Sequence, residues 1–199
     1  MKNIIFISFI IISLFTSCNK ENEVESPLTD QEKSDLIYLR QEEKLAYDVY
    51  NYAYKKYKHF AFFNISSSEK KHIDQVATLL DKYNVPDPAS ELEQGVFIDE
   101  DLQVLYHQLI AKVNISQVDA LEIGATIEDM DIWDIRKFYA NTSKDDITQM
   151  YDLLKCGSRN HLRGFTSQLK LAGKTYVPTF LSVDDFQGII NGSHESCDQ

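Results

Sequence analysis

The sequence predicts an all-α fold, a bundle of four long helices with a long crossover between the second and third helices. Apolar residues recur at alternating spacings of three and four along four long segments, which is the pattern of one buried helix face. Segments that alternate in the manner of β-strands are nearly absent. The last two long segments are separated by a tight polar turn, whereas a long connection, residues 85–116, separates the second from the third. The predicted topology is therefore two pairs of helices joined by one crossover.

The first pair of helices is bounded by capping and stop signals. Helix one is predicted over residues 34–58, where apolar positions and charged residues alternate with helical periodicity. Helix two begins at a cap formed by Ser67 or Ser68 and runs to about Tyr83, where two prolines follow and stop it. These bounds give both helices enough length to span a domain.

The crossover and the second pair follow the same logic. A shorter amphipathic helix is predicted within the connection, over residues 102–113. Helix three runs from Ser116 or Asp119 to Tyr139, and helix four covers residues 144–171. The turn between them is so short that the two helices must be antiparallel neighbours.

A further short helix is predicted to start at Ser182 and to pack across one end of the bundle. Pairs of helices joined by a single long crossover match the ferritin-like arrangement, in which one connection traverses the length of the bundle. The ferritin-like helical bundle domain is expected to cover residues 33–192. A disordered tail, residues 193–199, is expected after it.

The N-terminal residues indicate export. A single Lys2 precedes a short apolar run that ends in small residues before Cys18, which predicts a signal peptide over residues 1–17. The sequence around Cys18 resembles the lipobox of bacterial lipoproteins, so this cysteine is the predicted lipidation site; cleavage as a soluble exported protein is the alternative. Residues 18–32 are acidic and polar, which is typical of a flexible tether. We expect a bacterial cell-envelope protein, held to the membrane by its N-terminal lipid.

Charge and cysteine content exclude some classes of function. The chain has 20 basic and 31 acidic residues, and loss of Lys2 with the signal peptide changes the formal net charge from −11 to −12. Such an acidic chain is not expected to bind nucleic acid. Besides Cys18, two cysteines remain, Cys156 and Cys197. Export would allow a disulfide, but Cys197 falls in the predicted tail, so two free thiols are favoured.

Each of the four long helices carries a metal-competent side chain on its apolar face. An ionised carboxylate buried there costs several kcal/mol unless something compensates it, and a metal ion is one of the few groups that can. Two divalent cations would balance four carboxylates and leave two histidines as neutral ligands. The predicted metal ligands are Glu43 on helix one, Glu69 and His72 on helix two, Glu128 and Asp131 on helix three, and His161 on helix four.

Each predicted ligand also has an ordinary interpretation. Glu43 can pair with a neighbouring basic residue at the surface, and Glu69 and His72 can cap a helix or bond to each other. The carboxylates of helix three can face solvent. His161 can be a hydrogen-bonded core histidine.

Five further residues are candidates for supporting the ligands. Tyr47 or Tyr50 can hydrogen-bond a ligand from helix one, although core packing is the alternative role for both tyrosines. Ser158 lies on the same helix face as His161. Arg159 and Asn160 can fix the orientation of the His161 ring from outside.

With these residues in view, the chain resembles a ferritin-like family catalogued as domain of unknown function 2202. The resemblance covers residues 36–190, and its most specific stretch is the sequence Gly-Ser-Arg-Asn-His-Leu-Arg at residues 157–163. It implies a ferritin-like bundle and a dinuclear metal centre but no substrate. Rubrerythrin-like proteins place Glu-x-x-His on two helices, whereas this chain has Ser158-x-x-His161 on helix four. Asp131 is the expected replacement for the missing carboxylate.

These expectations lead to competing functional hypotheses. Mixed carboxylate and imidazole ligands suit iron or manganese, which favours an oxidoreductase or peroxidase that reacts with dioxygen or peroxide. No second cofactor motif is found, so electrons would come from another protein. The alternative is a non-catalytic envelope lipoprotein whose metal or polar core is structural. Iron storage in a closed cage is disfavoured by a lipid on every chain; the oligomeric state stays open, a dimer included.

Overall fold

Six helices and no strand make up the regular structure of residues 26–197, the part of the chain that this computed structural model describes. The all-helical prediction is confirmed. Cys18, the signal peptide and residues 18–25 of the predicted tether lie outside the described residues. None of the helices within residues 26–197 combines the length and apolar character needed to span a membrane. The helices are α1 Asp30–Tyr57, α2 Phe60–Lys82, α3 Glu100–Val113, α4 Gln117–Tyr139, α5 Asp145–Leu171 and α6 Val183–Ile190.

The first helix starts earlier than the sequence analysis placed it. The Thr29 hydroxyl accepts a hydrogen bond from the Glu32 N–H at 3.1 Å, and the Glu32 carboxylate accepts one from the Thr29 N–H at 2.8 Å. This reciprocal capping box satisfies N–H groups that a helix start otherwise leaves unpaired. Residues 30–32, which were predicted to belong to the tether, are therefore part of α1.

The start of α2 corrects a second boundary. The helix begins at Phe60, and its cap is His59, whose Nδ1 accepts from the Ala61 N–H at 3.3 Å. The hydroxyl of Ser67, one of the two predicted caps, instead donates to the Phe63 carbonyl inside the helix, at 2.9 Å. Serine can bond back to the preceding turn in this way, so its presence does not require a helix start.

Two apolar clusters fill the interior of the bundle and lie at opposite ends of the predicted ligands. On α1, Leu36 and Leu39 belong to one cluster, and Leu45 and Val49 belong to the other. Glu43 lies between these pairs. The other long helices also contribute to both clusters. The polar side chains therefore form a layer between two apolar halves of the core.

Polar residues on the outer side of α1 fix the crossover that joins α2 to α3. The Gln41 side-chain oxygen accepts hydrogen bonds from the N–H groups of Ile98 and Asp99, at 2.9 and 3.0 Å. The Asp48 carboxylate accepts from the Gly95 N–H at 2.9 Å. Gly95 adopts a φ of 81°, and an added Cβ would lie 2.6 Å from the Tyr106 ring. This turn consequently requires glycine.

The C-terminal residues are bound to α5 by a disulfide, so the prediction of two free thiols is wrong. Cys156 and Cys197 form a disulfide, with their Cα atoms 5.7 Å apart. Glu195 adds an ion pair with Arg159, and its carboxylate also accepts a 2.6 Å hydrogen bond from Arg163. The segment that we expected to be disordered is therefore bound to the bundle as far as Cys197.

Candidate metal centre

All six predicted ligands are buried in the polar layer between the two apolar clusters. Their side chains come from four different helices and converge because each lies on the inward face of its helix. The exposed fractions are Glu43 2%, Glu69 2%, His72 6%, Glu128 2%, Asp131 6% and His161 8%. The surface interpretations of Glu43, Glu128 and Asp131 therefore do not fit the structure.

Glu69 stands at the middle of the cluster and directs one oxygen toward each histidine. Its Oε2 lies 2.9 Å from Nδ1 of His72, and its Oε1 lies 2.8 Å from Nδ1 of His161. The planes of the two imidazole rings are inclined by 28° to each other, and their centroids are 5.5 Å apart. A carboxylate with one oxygen on each of two groups has the arrangement of a bridging ligand.

A further carboxylate completes a three-residue group around each histidine. Glu43 Oε2 lies 3.2 Å from Nδ1 of His72, and Glu128 Oε2 lies 3.4 Å from Nδ1 of His161. Potential ligand atoms of Glu43, Glu69 and His72 lie within 4.8 Å of one another, as do those of Glu69, Glu128 and His161. Each group can hold one metal ion, and Glu69 is common to both.

Several atoms of the cluster are buried without a hydrogen-bond partner, which matches a metal site better than an ordinary polar core. Glu69 Oε1 and His161 Nδ1 are close, but they are not aligned for a hydrogen bond. Two ligand atoms about 2.1 Å from one ion and at right angles to each other would lie about 3 Å apart. The unpartnered atoms are Glu43 Oε1, Glu69 Oε1, Asp131 Oδ1 and His161 Nδ1. The donor set and its spacing fit a pair of divalent ions.

Both histidines of the cluster have raised pKa values because carboxylates surround them. Burial lowers the pKa of His161, but the carboxylates of Glu69 and Glu128 outweigh burial and raise it to about 10. His72 has a raised pKa because Glu43 and Glu69 likewise outweigh burial. In the absence of metal, these imidazoles therefore retain protons that a divalent cation would displace.

The carboxylates of the cluster differ in pKa: those of Glu43 and Glu128 are raised, whereas that of Glu69 is lowered. Burial raises the pKa of Glu43 to about 7 despite the opposing charge of His72. Burial and the charge of Glu69 raise the pKa of Glu128 to about 7 as well. Burial would also raise the pKa of Glu69, but the two histidines outweigh it and hold this pKa well below the ordinary value. Glu69 is thus the carboxylate that stays ionised between two cations.

Asp131 is in the same layer but not in either three-residue group. The Ser158 hydroxyl donates to its Oδ2, and its Oδ1 has no partner. The pKa of Asp131 is raised well above the ordinary value by burial and by the charges of Glu43 and Glu128. Its expected role as a replacement ligand therefore stays a prediction.

The structure gives the other candidate residues different surroundings. The Tyr50 hydroxyl donates to Glu128 Oε1 at 2.5 Å, and its ring is fully buried. Tyr47 lines a surface groove between α1 and α2 instead. Arg159 and Asn160 bind the segment around Glu195 on the outer side of α5.

Two residues that help to form this region were missed by the sequence analysis. Glu42, which is not among the predicted ligands, is only 1% exposed, and neither of its carboxylate oxygens has a hydrogen-bond partner. Gly157 lies against His72, so that an added Cβ would be 2.5 Å from Nε2 of the ring. The glycine at the start of the specific Gly-Ser-Arg-Asn-His stretch was the available signal for this close approach.

Comparisons with known proteins give the chain relatives but no activity. Residues 32–193 match the family of an uncharacterized protein domain, DUF2202. The chain is 44% identical over 171 residues to the uncharacterized protein MJ0754 of Methanocaldococcus jannaschii, which covers 86% of this chain and 92% of that protein. The crystal structure of hypothetical protein MJ0754 from Methanococcus jannaschii is similar, with a TM-score of 0.84 and 44% identity over 86% of this chain and 98% of that one.

Proposed function

The chain belongs to the DUF2202 family, and we propose that it is a ferritin-like protein that binds two divalent metal ions between its four long helices. The observation that carries this proposal is the position of Glu69, with one oxygen directed at each histidine. Glu43, Glu69 and His72 would hold one ion. Glu69, Glu128 and His161 would hold the other.

The ligand set favours iron or manganese. Carboxylate oxygens suit hard divalent ions, and one imidazole per ion suits iron, manganese or zinc. When bound, two redox-active ions would supply the electrons that reduce dioxygen or peroxide. We propose an oxidoreductase of this kind, with a separate protein as the electron donor.

The residues of this chain would contribute orientation, exclusion of water and control of protons. The two apolar clusters keep bulk water from the ligands on both sides of the polar layer. Tyr50 orients Glu128 through its 2.5 Å hydrogen bond, which leaves the other oxygen of Glu128 to face His161. In the metal-free protein, the raised pKa values of Glu43 and Glu128, about 7 in both cases, allow these carboxyls to hold protons near neutral pH, and a bound ion would displace them.

We further propose that the protein acts at the bacterial cell envelope, attached to the membrane through a lipid on Cys18. The Cys156–Cys197 disulfide supports export, because disulfides persist mainly in oxidising compartments. The acidic composition again argues against a nucleic-acid partner. A lipid-anchored electron acceptor would meet its donor protein at the membrane surface.

A second candidate function follows from the origin of the ligands. Because they come from all four long helices, bound ions would cross-link the bundle, and the metal could serve stability alone. Under this alternative, chelation would cause unfolding, and peroxide would leave the spectrum of the metal-loaded protein unchanged.

Elemental analysis of the purified protein tests the proposal directly. We expect about two iron or manganese ions per chain, lost in Glu69→Ala and reduced in His161→Ala. Glu122→Ala is a matched control, because Glu122 is paired with Lys174 at 2.7 Å on the outside of α4. Absence of bound metal after anaerobic iron loading would overturn the proposal. A spectral response to peroxide would favour the oxidoreductase over the structural alternative.

A further inference from the structure

The turn between α1 and α2 differs in composition from the rest of this acidic chain. Residues 49–68 contain no aspartate or glutamate, although the chain has 31 acidic residues. The same stretch contains seven tyrosine or phenylalanine residues, and three lysines, Lys55, Lys56 and Lys58, lie at or next to the end of α1. A chain with a net charge of −11 therefore carries a local surface of positive charge and aromatic rings.

The three lysines are exposed and are not used in ion pairs. Lys55 and Lys56 donate hydrogen bonds to neutral side-chain oxygens, at 2.8 and 2.5 Å. Lys58 Nζ lies over the Tyr54 ring, 5.4 Å from its centroid. Within the described residues 26–197, no carboxylate lies within 4 Å of any of these three ammonium groups. Their charge is therefore available to attract an acidic partner.

Two phenylalanines of the same turn are also exposed. Phe60 exposes 70% of its surface, and Phe63 exposes 48% while its ring packs 5.2 Å from that of Tyr54. Aromatic rings are enriched where proteins bind each other, and lysines around them steer an oppositely charged partner. The docking surface, as we name it, consists of Lys55, Lys56, Lys58, Phe60 and Phe63.

A series of packed rings connects the docking surface to the predicted ligands. The Tyr50 hydroxyl donates to Glu128 Oε1 at 2.5 Å, and the Tyr50 ring lies 6.5 Å from that of Phe62. The Phe62 ring lies 5.9 Å from that of His59, the residue between Lys58 and Phe60. Phe165 packs against both Tyr50 and Phe62, at 5.1 and 5.7 Å. Electrons tunnel faster through close-packed atoms than across gaps, so these rings offer a route from the surface.

The rings at the opposite end of the bundle lack this connection. Tyr38, Phe138 and Tyr151 pack together, with centroid distances of 6.1 and 6.2 Å. Within the described part of the chain, however, none of the three donates a hydrogen bond to a predicted ligand. The route to the ligands therefore begins at the turn between α1 and α2.

We infer that the docking surface binds an acidic one-electron carrier protein, and that electrons enter along His59, Phe62 and Tyr50. This inference rests on the proposed function, which requires a separate electron donor. Peroxide takes up two electrons and two protons to give two molecules of water. Two reduced carriers, each of which loses one electron, would dock in turn and replace those two electrons.

A protein partner fits this surface better than a lipid bilayer. α1 has 28 residues, so its last turn lies about 42 Å from its first, which is the end next to the proposed lipid on Cys18. The eight residues 18–25 span at most about 28 Å when fully extended. The docking surface is thus held away from the anchoring membrane and stays open to a carrier protein.

Binding of an acidic plant-type ferredoxin, a one-electron iron–sulfur carrier, to the metal-free protein tests the docking surface. Lys56→Glu and Lys58→Glu should each weaken binding about tenfold in isothermal titration calorimetry, because an attractive charge becomes repulsive. Lys33→Glu is the matched control and should bind as the parent protein does, because Lys33 is also exposed and outside any ion pair but lies in the first turn of α1. Circular dichroism checks that each variant folds.

Stopped-flow reduction of the oxidised, iron-loaded protein tests the route. Reduced ferredoxin should reduce the iron about tenfold more slowly in Lys58→Glu than in the parent. Dithionite at high salt, where its charge is screened and no docking is needed, should reduce both at the same rate. Phe62→Leu should slow reduction by ferredoxin without weakening its binding, because Phe62 is fully buried. Phe138→Leu, in the other group of rings, should change neither.

The outcomes separate this inference from the proposed function. If ferredoxin does not bind, or binds equally to the parent, Lys56→Glu and Lys58→Glu, the docking surface is refuted and the dinuclear centre stands. Binding of phosphatidylglycerol vesicles through the same lysines, in place of ferredoxin, would overturn the carrier and make this surface a lipid contact. Ferredoxin binding through these lysines to a protein that never takes up metal would support the docking surface and overturn the proposed function.

Discussion

Glu128 and Asp129 are neighbours on α4, and both are buried, yet their carboxylates have opposite surroundings. Asp129 accepts hydrogen bonds from the Tyr176 hydroxyl at 2.9 Å and from three backbone N–H groups of residues 179–181 at 2.6 to 3.0 Å. Glu128 receives one hydrogen bond, from Tyr50, and otherwise faces His161 and other carboxylates. Burial of an acid is therefore not by itself a sign of a ligand site.

The contrast separates two kinds of polar core in one molecule. The Asp129 anchor, meaning Asp129 with its four donors, is complete without any ligand and holds the segment before α6 against the bundle. The ligand cluster, meaning the six predicted metal ligands, leaves four atoms without partners. Native proteins rarely leave buried polar atoms unpaired, so the second arrangement points to a missing positive partner. A change in the anchor should affect folding, whereas a change in the cluster should affect metal binding.

The largest expected effect is metal-dependent stabilisation through Glu69. Saturating Mn²⁺ should raise the free energy of unfolding by about 4 kcal/mol for each of the two bound ions when the free ion is a thousandfold above its Kd. Glu69→Gln should abolish this increase, because both three-residue groups lose their common ligand. Chemical denaturation with and without metal measures the difference. If metal still raised the free energy of unfolding of Glu69→Gln, the cluster around Glu69 would not be the site where the metal acts, and it would not differ from the Asp129 anchor in this respect.

The next effect tests the other side of the comparison. Asp129→Asn places an amide donor among four donors, so it should lower the free energy of unfolding by about 3 kcal/mol, with or without metal. Glu122→Gln on the surface of the same helix should change it by less than about 1 kcal/mol. A loss confined to the metal-loaded protein would show that Asp129 acts through the cluster after all.

A pH dependence should sharpen the contrast further. Glu43 and Glu128 have pKa values of about 7 in the folded protein against an ordinary 4.5, so the native state holds protons that the unfolded chain releases. The stability that these carboxyls contribute is present below pH 4.5 and is lost as the pH rises through 7. Together the two carboxyls should therefore cost the metal-free protein about 2 kcal/mol of stability per pH unit between pH 5 and 7.

Metal binding should follow the opposite direction. Ligands must release their protons before they coordinate, so the stabilisation by Mn²⁺ should increase over the same pH range. Thermal denaturation of both forms at several pH values measures the two slopes. Parallel slopes would mean that the metal does not displace protons from Glu43 and Glu128. Asp129→Asn should show the same pH dependence of stability as the parent protein, both without and with Mn²⁺, because Asp129 lies outside the cluster.

The sequence was sufficient to predict the helical class and the convergence of the six predicted ligands. Helical periodicity assigns a residue to one face, and a bundle brings the inner faces together, so Glu43, Glu69 and His161 could be expected in one layer. Periodicity does not give the rotation of side chains within that layer. The central position of Glu69 and the separate position of Asp131 therefore required the structure.

Other features depended on contacts that no local pattern encodes. Glu42 lies off the apolar stripe, but it is buried on the side of α1 where the charges of Asp131 and Asp134 of α4 act on it. The Cys156–Cys197 disulfide joins residues 41 positions apart, and their proximity follows from the return of the C-terminal segment to α5. The missed helix caps were readable in principle: Thr29-x-x-Glu32 is a capping box.

The smallest expected effect comes from the backbone that shapes the cluster. At Gly157, an added Cβ would lie 2.5 Å from His72 Nε2 and 2.7 Å from its Cε1, so the ring must move. Gly157→Ala should weaken metal binding about tenfold, as expected when the support of a ligand is disturbed. Gly164→Ala on the same helix is the control, since its Cβ would meet only Ile65 at an ordinary 3.7 Å.

Comparison of Gly157→Ala with Gly164→Ala distinguishes a displaced His72 ring from a general loss of folding. Alanine is favoured over glycine inside a helix by about 1 kcal/mol, so Gly164→Ala should be as stable as the parent protein or more so, with unchanged Mn²⁺ affinity. Gly157→Ala gains the same propensity while it displaces a ligand, so its metal-free form should stay folded as its affinity falls. Equal affinities in the two variants, measured by Mn²⁺ titration, would mean that the position of the His72 ring does not limit binding.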